Sequence, residues 1–354
     1  MLYVERYCEI TIYGGLIYME HENLMTNLTC GEISSLWVTY EYETLSRCGI
    51  HFFLHHVEDD EIKELLEQTL ELSNKRLKKL KEFLKRDNHP HPEGFSIDGD
   101  VNDDAPRLFS DKLYLYYCLE VYKLELTMYQ AAFQEVVEEE LQHFFREVIN
   151  DAMDMEMKAK ELSLKKGIFN RDPGLPIPKQ KKYVEKENFI AGWIGEKRPL
   201  LGIEIAQLTF NAKRNALGQA VITGFAQVAQ SKEIRRFFER GRDIAGKHYD
   251  EFQDVLEKEY LPVVAALQTA EVTDSKIAPF SDKLMMSFIT LLISSGMGAY
   301  GAAKSASARR DLGLMYTKLA AEVAGYSNDA AEILIDHGWM EQPPMAANRK
   351  KLAK

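Results

Sequence analysis

Phe109-Ser110-Asp111-Lys112-Leu113 recurs letter for letter as Phe280-Ser281-Asp282-Lys283-Leu284, an offset of 171 residues (280 minus 109). At that offset, without a gap, Val101 meets Val272, Asp103 meets Asp274, Tyr129 meets Tyr300 and Leu141 meets Leu312. Further on, Glu161 meets Glu332, Gly167 meets Gly338 and Pro173 meets Pro344. Upstream the offset is 172, so that Glu32-Ile33 meets Glu204-Ile205, Leu45 meets Leu217 and Phe53 meets Phe225. One insertion in a loop accounts for the change. The chain is an internal duplication.

Each copy reads as four helices. In the first copy, one helix runs from about Glu32 to His56, and Glu58-Asp59-Asp60-Glu61 supplies the acidic first turn of the next. That second helix continues to about Lys85, where Pro90 and Pro92 follow. A long connection, Pro90 to Leu108, leads to a third helix from Asp111 to about Phe133, with Ser110 as its N-cap. The fourth ends at Lys165-Lys166-Gly167, basic residues before a C′ glycine. Lys258 to Pro279 mirrors the crossover. Short, long and short connections predict an all-α fold: two tandem ferritin-like antiparallel four-helix bundles. In the fourth helix, Val137, Leu141, Phe144, Val148, Ala152, Met155, Ala159 and Leu162 form one apolar stripe, which Ala308 to Ile333 repeats.

The domain plan follows. Residues 1–27 are an N-terminal extension, 28–172 the first repeat, 173–199 a Pro-rich linker, 200–344 the second repeat and 345–354 a basic tail. Phe189 and Trp193 are expected to tie the linker onto a bundle. Tyr13-Gly14-Gly15 before Met19 is what a bacterial ribosome-binding sequence yields when translated, so Met19 reads as the natural start and residues 1–18 as non-native. The net charge of −11 disfavours nucleic acid and anionic membranes as partners. Cys8, Cys30, Cys48 and Cys118 show neither zinc-type pairs nor a disulfide framework, and read as small buried residues in a reducing cytoplasm.

Three features raise the question of chemistry. A di-iron centre would need Glu-x-x-His on two helices. Glu140-Leu141-Gln142-His143 is the single such pair in the expected place, and its histidine points away from the apolar stripe. His51 and His55, spaced i, i+4, share a face with Ile33, Trp37, Tyr40, Thr44 and Cys48, which reads as interior. With Glu120 of the third helix they are the candidate metal ligands, against an expectation of two hydrogen-bonded histidines and no cofactor. Thr223 and Gln227 replace them in the second copy, so any metal serves the first. The pairs Asp111/Lys112 and Asp282/Lys283 read as helix starts, not catalytic groups. Leu284 to Ala303 carries no charge and is long enough to span a bilayer. Ser294, Gly298 and Ala302 at i, i+4 spacing favour a fully buried, closely packed central helix instead of a membrane span.

Several blocks together resemble a known family. They are Gly94-Phe95, Asp100-Val101-Asn102, Ala105 to Asp111, Arg198-Pro199-Leu200, Pro279 to Met286, Arg310-Asp311-Leu312 and Gly338 to Pro344. The chain resembles the domain of unknown function 3231 family, tandem ferritin-like proteins of Bacillus-type endospore formers, similar in plan to spore coat protein F. The resemblance implies the fold and no established activity. The expectation is a non-enzymatic packing protein, cytoplasmic or spore-associated, whose partners are copies of itself or other coat-type proteins. The alternative is a metal-dependent oxidoreductase or metal store confined to the first repeat. If one half is active, the sequence favours the first; the second reads as the packing half.

Overall fold

The computed structural model describes residues 10–13, 16–19, 28–169, 171–185, 187–191, 197–262 and 269–352. Cys8 and Trp193 lie outside them. Among the described residues, eight long helices make up two four-helix units. The first contains α1 (Cys30–His56), α2 (Asp60–Arg86), α3 (Asp111–Glu135) and α4 (Glu139–Lys165). The second contains α5 (Gly202–Val228), α6 (Lys232–Lys258), α7 (Asp282–Ala306) and α8 (Arg310–Asp336). The lengths match between copies, at 27, 27, 25 and 27 residues. One departure from an all-α chain is a short antiparallel hairpin, β1 (Ile10–Tyr13) with β2 (Leu16–Met19), built of β-branched, aromatic and aliphatic residues.

The helix signals hold. Ser110 and Ser281 cap α3 and α7 by accepting from Leu113 N and Leu284 N, at 3.2 and 3.0 Å. Gly167 and Gly338, with φ of +67° and +66°, close α4 and α8 in the left-handed conformation that glycine adopts without strain. The stripe of α4 is buried from Leu141 to Ala159, whereas Val137 precedes the helix and is exposed.

The shared motifs hold the helix junctions. Asp111 accepts from the backbone of Glu58 (3.1 Å) and Asp59 (2.9 Å), where α1 turns into α2. Asp282 does the same for Gln230 and Ser231. The opposite junction is held by Glu32, 3% exposed, which accepts from Val137 N and Glu138 N at 3.0 and 2.9 Å. Its counterpart Glu204 accepts from Ala308 N and Arg309 N, and is gripped by Arg198 at 2.8 Å. Burial opposes ionisation of Glu32 and Glu204, but the hydrogen bonds outweigh it and both carboxyls lie below their ordinary range. The helix-start reading of the Asp-Lys pairs is therefore correct for the aspartates, which serve a neighbouring helix as well as their own.

The two repeats clasp each other through their crossovers. Val101 pairs with Phe280, and Phe109 pairs with Val272. These contacts exchange under the 171-residue offset, as do the flanking hydrogen bonds. Asn102 N donates to Pro279 O and Thr273 N to Leu108 O, both at 2.9 Å. Ser110 N donates to Glu271 O and Ser281 N to Asp100 O, at 3.0 and 2.9 Å. When residue i of one unit meets j of the other and j meets i, the units are related by a two-fold axis. The duplicated chain is a pseudo-symmetric dimer of its own halves.

The linker lies largely exposed from Leu175 to Glu185. Phe189 is held at the start of the second unit, its carbonyl accepting from Arg198 Nε at 2.7 Å and its ring 4.4 Å from the guanidinium.

Candidate functional site

Cys48 and Cys118 are buried and free, while Cys30 is exposed at the first turn of α1, against expectation. His143 is exposed, as its angular position predicts. His51 and His55 are not interior. They sit at the C-terminal end of α1, His51 half-buried and His55 exposed. His51 Nε2 lies 3.0 Å from Asp103 Oδ1, and His55 Nδ1 lies 3.0 Å from the carbonyl of His51. His51, His55 and Asp103 thus bring three ligand-type atoms within 4.8 Å of one another. The carboxylate comes from the crossover. Glu120 is instead paired to Lys123 at 2.5 Å beside an internal cavity. In the second repeat Gln227 fills the place of His55 and donates to the carbonyls of Thr273 (2.9 Å) and Ser275, so both repeats tie this helix end to their crossover.

The polar centres of the bundles were not foreseen. In the first repeat Arg76 Nη1 of α2 lies 3.2 Å from each of Glu43 Oε1, Glu125 Oε2 and Tyr129 OH. Tyr42 OH donates to Glu125 at 2.8 Å and Tyr129 OH to Glu43 at 2.5 Å. Arg76, Glu43 and Glu125 are 4%, 1% and 2% exposed. Burial raises the Glu125 carboxyl and Arg76 lowers it, the net being upward; Arg76 stays charged, well above its usual value. A guanidinium therefore stands between carboxylates of two helices, supplying the positive charge that such an arrangement needs.

The offsets place Asn215, His248, Tyr300, Glu322 and Gly296 opposite Glu43, Arg76, Tyr129, Asp151 and Glu125. His248 is fully buried. Its Nε2 lies 3.1 Å from Glu322, and a carboxylate accepts, so Nε2 carries the proton. Burial keeps the imidazole below its usual pKa, against the pull of Glu322, so it is neutral and Nδ1 accepts from Tyr300 OH at 2.9 Å. Asn215 Nδ2 completes the set by donating to Tyr300 OH at 2.9 Å. The sequence held a signal for these centres, since the aligned Tyr129 and Tyr300 anchor both.

Where Glu125 fills the first bundle, Gly296 leaves space in the second. A cavity of about 440 Å³ opens there, lined by α5, α6, α7 and α8 and by Glu120, Lys123, Leu124 and Thr127 of α3. A Cβ built on Gly218, Gly296, Gly298 or Gly301 would meet nothing within 4 Å. This corrects the expectation of close helix packing. The N-terminal half of α7 buries Leu284, Met285, Met286, Phe288 and Ile289, whereas Ser294, Gly298, Gly301 and Ala302 are exposed. Alone among the described helices, α7 is long and apolar enough to cross a membrane. Close approach is found instead at Gly224, where a Cβ would come within 2.5 Å of Phe109.

No curated protein matches the chain. A crystal structure described as a "putative spore coat protein" from Bacillus halodurans C-125 is similar at 14% identity and a TM-score of 0.38, over 43% of this chain and 98% of that one. The family model described as "Protein of unknown function (DUF3231)" matches residues 20–180 and again 188–352, one match for each repeat. The chain belongs to that family.

Proposed function

We propose that this chain is a non-catalytic packing protein, a rigid two-bundle block that assembles with copies of itself or with other coat-type proteins. The observation that carries the reading is the reciprocal clasp of Val101–Phe280 and Phe109–Val272, which joins the halves into one pseudo-symmetric body. The buried carboxylates favour it too. Glu32 and Glu204 bond backbone N–H groups, and Glu43 and Glu125 face an arginine, so these groups maintain the fold. Association with the spore follows from the family resemblance and is part of the proposal. A fluorescent fusion followed through growth and sporulation, with light scattering on the purified chain, tests it. Assembly and capture at the forming spore are expected; a monomer spread evenly through sporulating cells would overturn it.

A second reading keeps a cation at His51, His55 and Asp103, favoured by the joining of Asp103 to the two histidines. One carboxylate and two imidazoles suit zinc or nickel. The site is on the surface, so it would bind a metal without the enclosure that redox chemistry needs.

A further inference from the structure

The cavity of the second repeat has a chemistry that the packing reading does not use. Its walls are mainly apolar, with Val121, Leu124, Ile244, Leu292 and Ile293 among them. Its volume of about 440 Å³ lies in the range of small-molecule sites. The mouth is marked by lining residues that are exposed, Thr127 of α3 and Ser294, Gly298 and Ala302 of α7.

Arg214 lines this space, and the two hydrogen bonds described for its guanidinium go to Ser295, to the carbonyl at 3.1 Å and to Oγ at 3.0 Å. Neither partner is charged. Glu120, the one acidic side chain among the described lining residues, is engaged by Lys123. With His248 neutral, Glu120, Lys123 and Arg214 leave the cavity one positive charge in excess. Arg76 shows the contrast, because in the first repeat it is paired with two acidic side chains, Glu43 and Glu125. Burial pulls Arg214 below its usual pKa, with only a partial offset from Glu120, whereas Arg76 moves upward.

We propose that this cavity binds a monoanionic amphiphile, a long-chain carboxylate whose head group pairs with Arg214 and whose alkyl body lies along the apolar wall. One excess charge suits a carboxylate better than a phosphate dianion, and a guanidinium binds carboxylate in two parallel hydrogen bonds. The bundle without a glutamate at this level is the one with room for a guest.

The test uses the full chain, stripped of lipid, titrated calorimetrically with dodecanoate and with dodecanol below their aggregation limits. Saturable binding of dodecanoate is expected, with dodecanol weaker. Arg214→Gln should weaken the carboxylate by about 10- to 100-fold and leave the alcohol unchanged. Gly298→Leu, placed in open space on an exposed helix face, should narrow the mouth and reduce both without loss of fold. No saturable heat with dodecanoate would overturn the proposal, as would equal affinity for acid and alcohol. Should Arg214→Gln fail to fold, the acid-to-alcohol ratio and Gly298→Leu decide in the same way.

Discussion

Phe52 of α1 and Gly224 of α5 occupy the same place in the two repeats, yet they meet the partner repeat in opposite ways. The Phe52 ring lies 5.2 Å from that of Phe280, whereas Gly224 leaves the space that Phe109 fills. At this one helix position Phe280 thus meets the Phe52 ring, whereas Phe109 takes the space that a side chain at Gly224 would need. Pseudo-symmetry holds for the backbone pairing and is broken in the side chains.

Gly224→Leu should force Phe109 and Val272 from their places, with a loss of about 1–3 kcal/mol from overpacking. Phe52→Ala should cost about 3–5 kcal/mol by opening a cavity. Denaturant melts of both variants check the pair. A neutral Gly224→Leu would mean that the clasp is looser than the structure describes.

Arg76→Ala leaves Glu43 and Glu125 buried without their cation and should destabilise the chain by about 3–5 kcal/mol. Arg76→Met with Glu43→Gln and Glu125→Gln should recover most of that loss, since no buried charge remains. Thermal unfolding distinguishes the two.

Asp111→Ala and Asp282→Ala each remove an acceptor from two backbone N–H groups at a helix junction, at about 1–2 kcal/mol apiece. The sites belong to different repeats, so the double variant should show the sum. A marked departure would mean that the repeats are coupled more tightly than two independent junctions allow.

Glu41 of α1 provides a pH signature. Burial, then the nearby Glu341, raise its carboxyl from the ordinary 4.5 to about 7, with Lys283 opposing. Its folded pKa exceeds the unfolded one, so the native state holds the proton more tightly. Its contribution is present below about pH 4.5 and is lost as pH rises to about 7. Glu341 also accepts from Gly94 N and Glu93 N at 2.7 and 2.9 Å, which docks the C-terminal segment on the first repeat. Glu41→Gln should flatten this part of the stability profile. Urea titrations from pH 4 to 8 are the measurement, and an unchanged slope would exclude Glu41 as the source.

Zinc or nickel added to untagged protein should bind at His51, His55 and Asp103 and be lost together in His55→Ala and Asp103→Ala. Equilibrium dialysis with metal analysis reads this directly. Retention of metal in both variants would remove the surface site.

The sequence alone determined the duplication, the eight helices and their caps, because helix periodicity, N-cap serines and C′ glycines act over a few neighbouring residues. Glu32 and Glu204, Asp111 and Asp282 were visible as matched pairs, and their fixed offset announced a shared role. Their targets were not visible, since the Asp111 and Asp282 carboxylates bond backbone 53 and 52 residues away, and those of Glu32 and Glu204 bond backbone 105 residues away. The reciprocal crossover pairing and the exchange of Glu120 for Asp103 beside His51 also depended on how the repeats and loops meet. The small residues of α7 show the limit most clearly. Glycine permits close approach and equally leaves open space, and only the neighbours present in the tertiary structure decide which. At Gly224 they close in; at Gly296 they stand back, and the half assigned to packing is the half with the cavity.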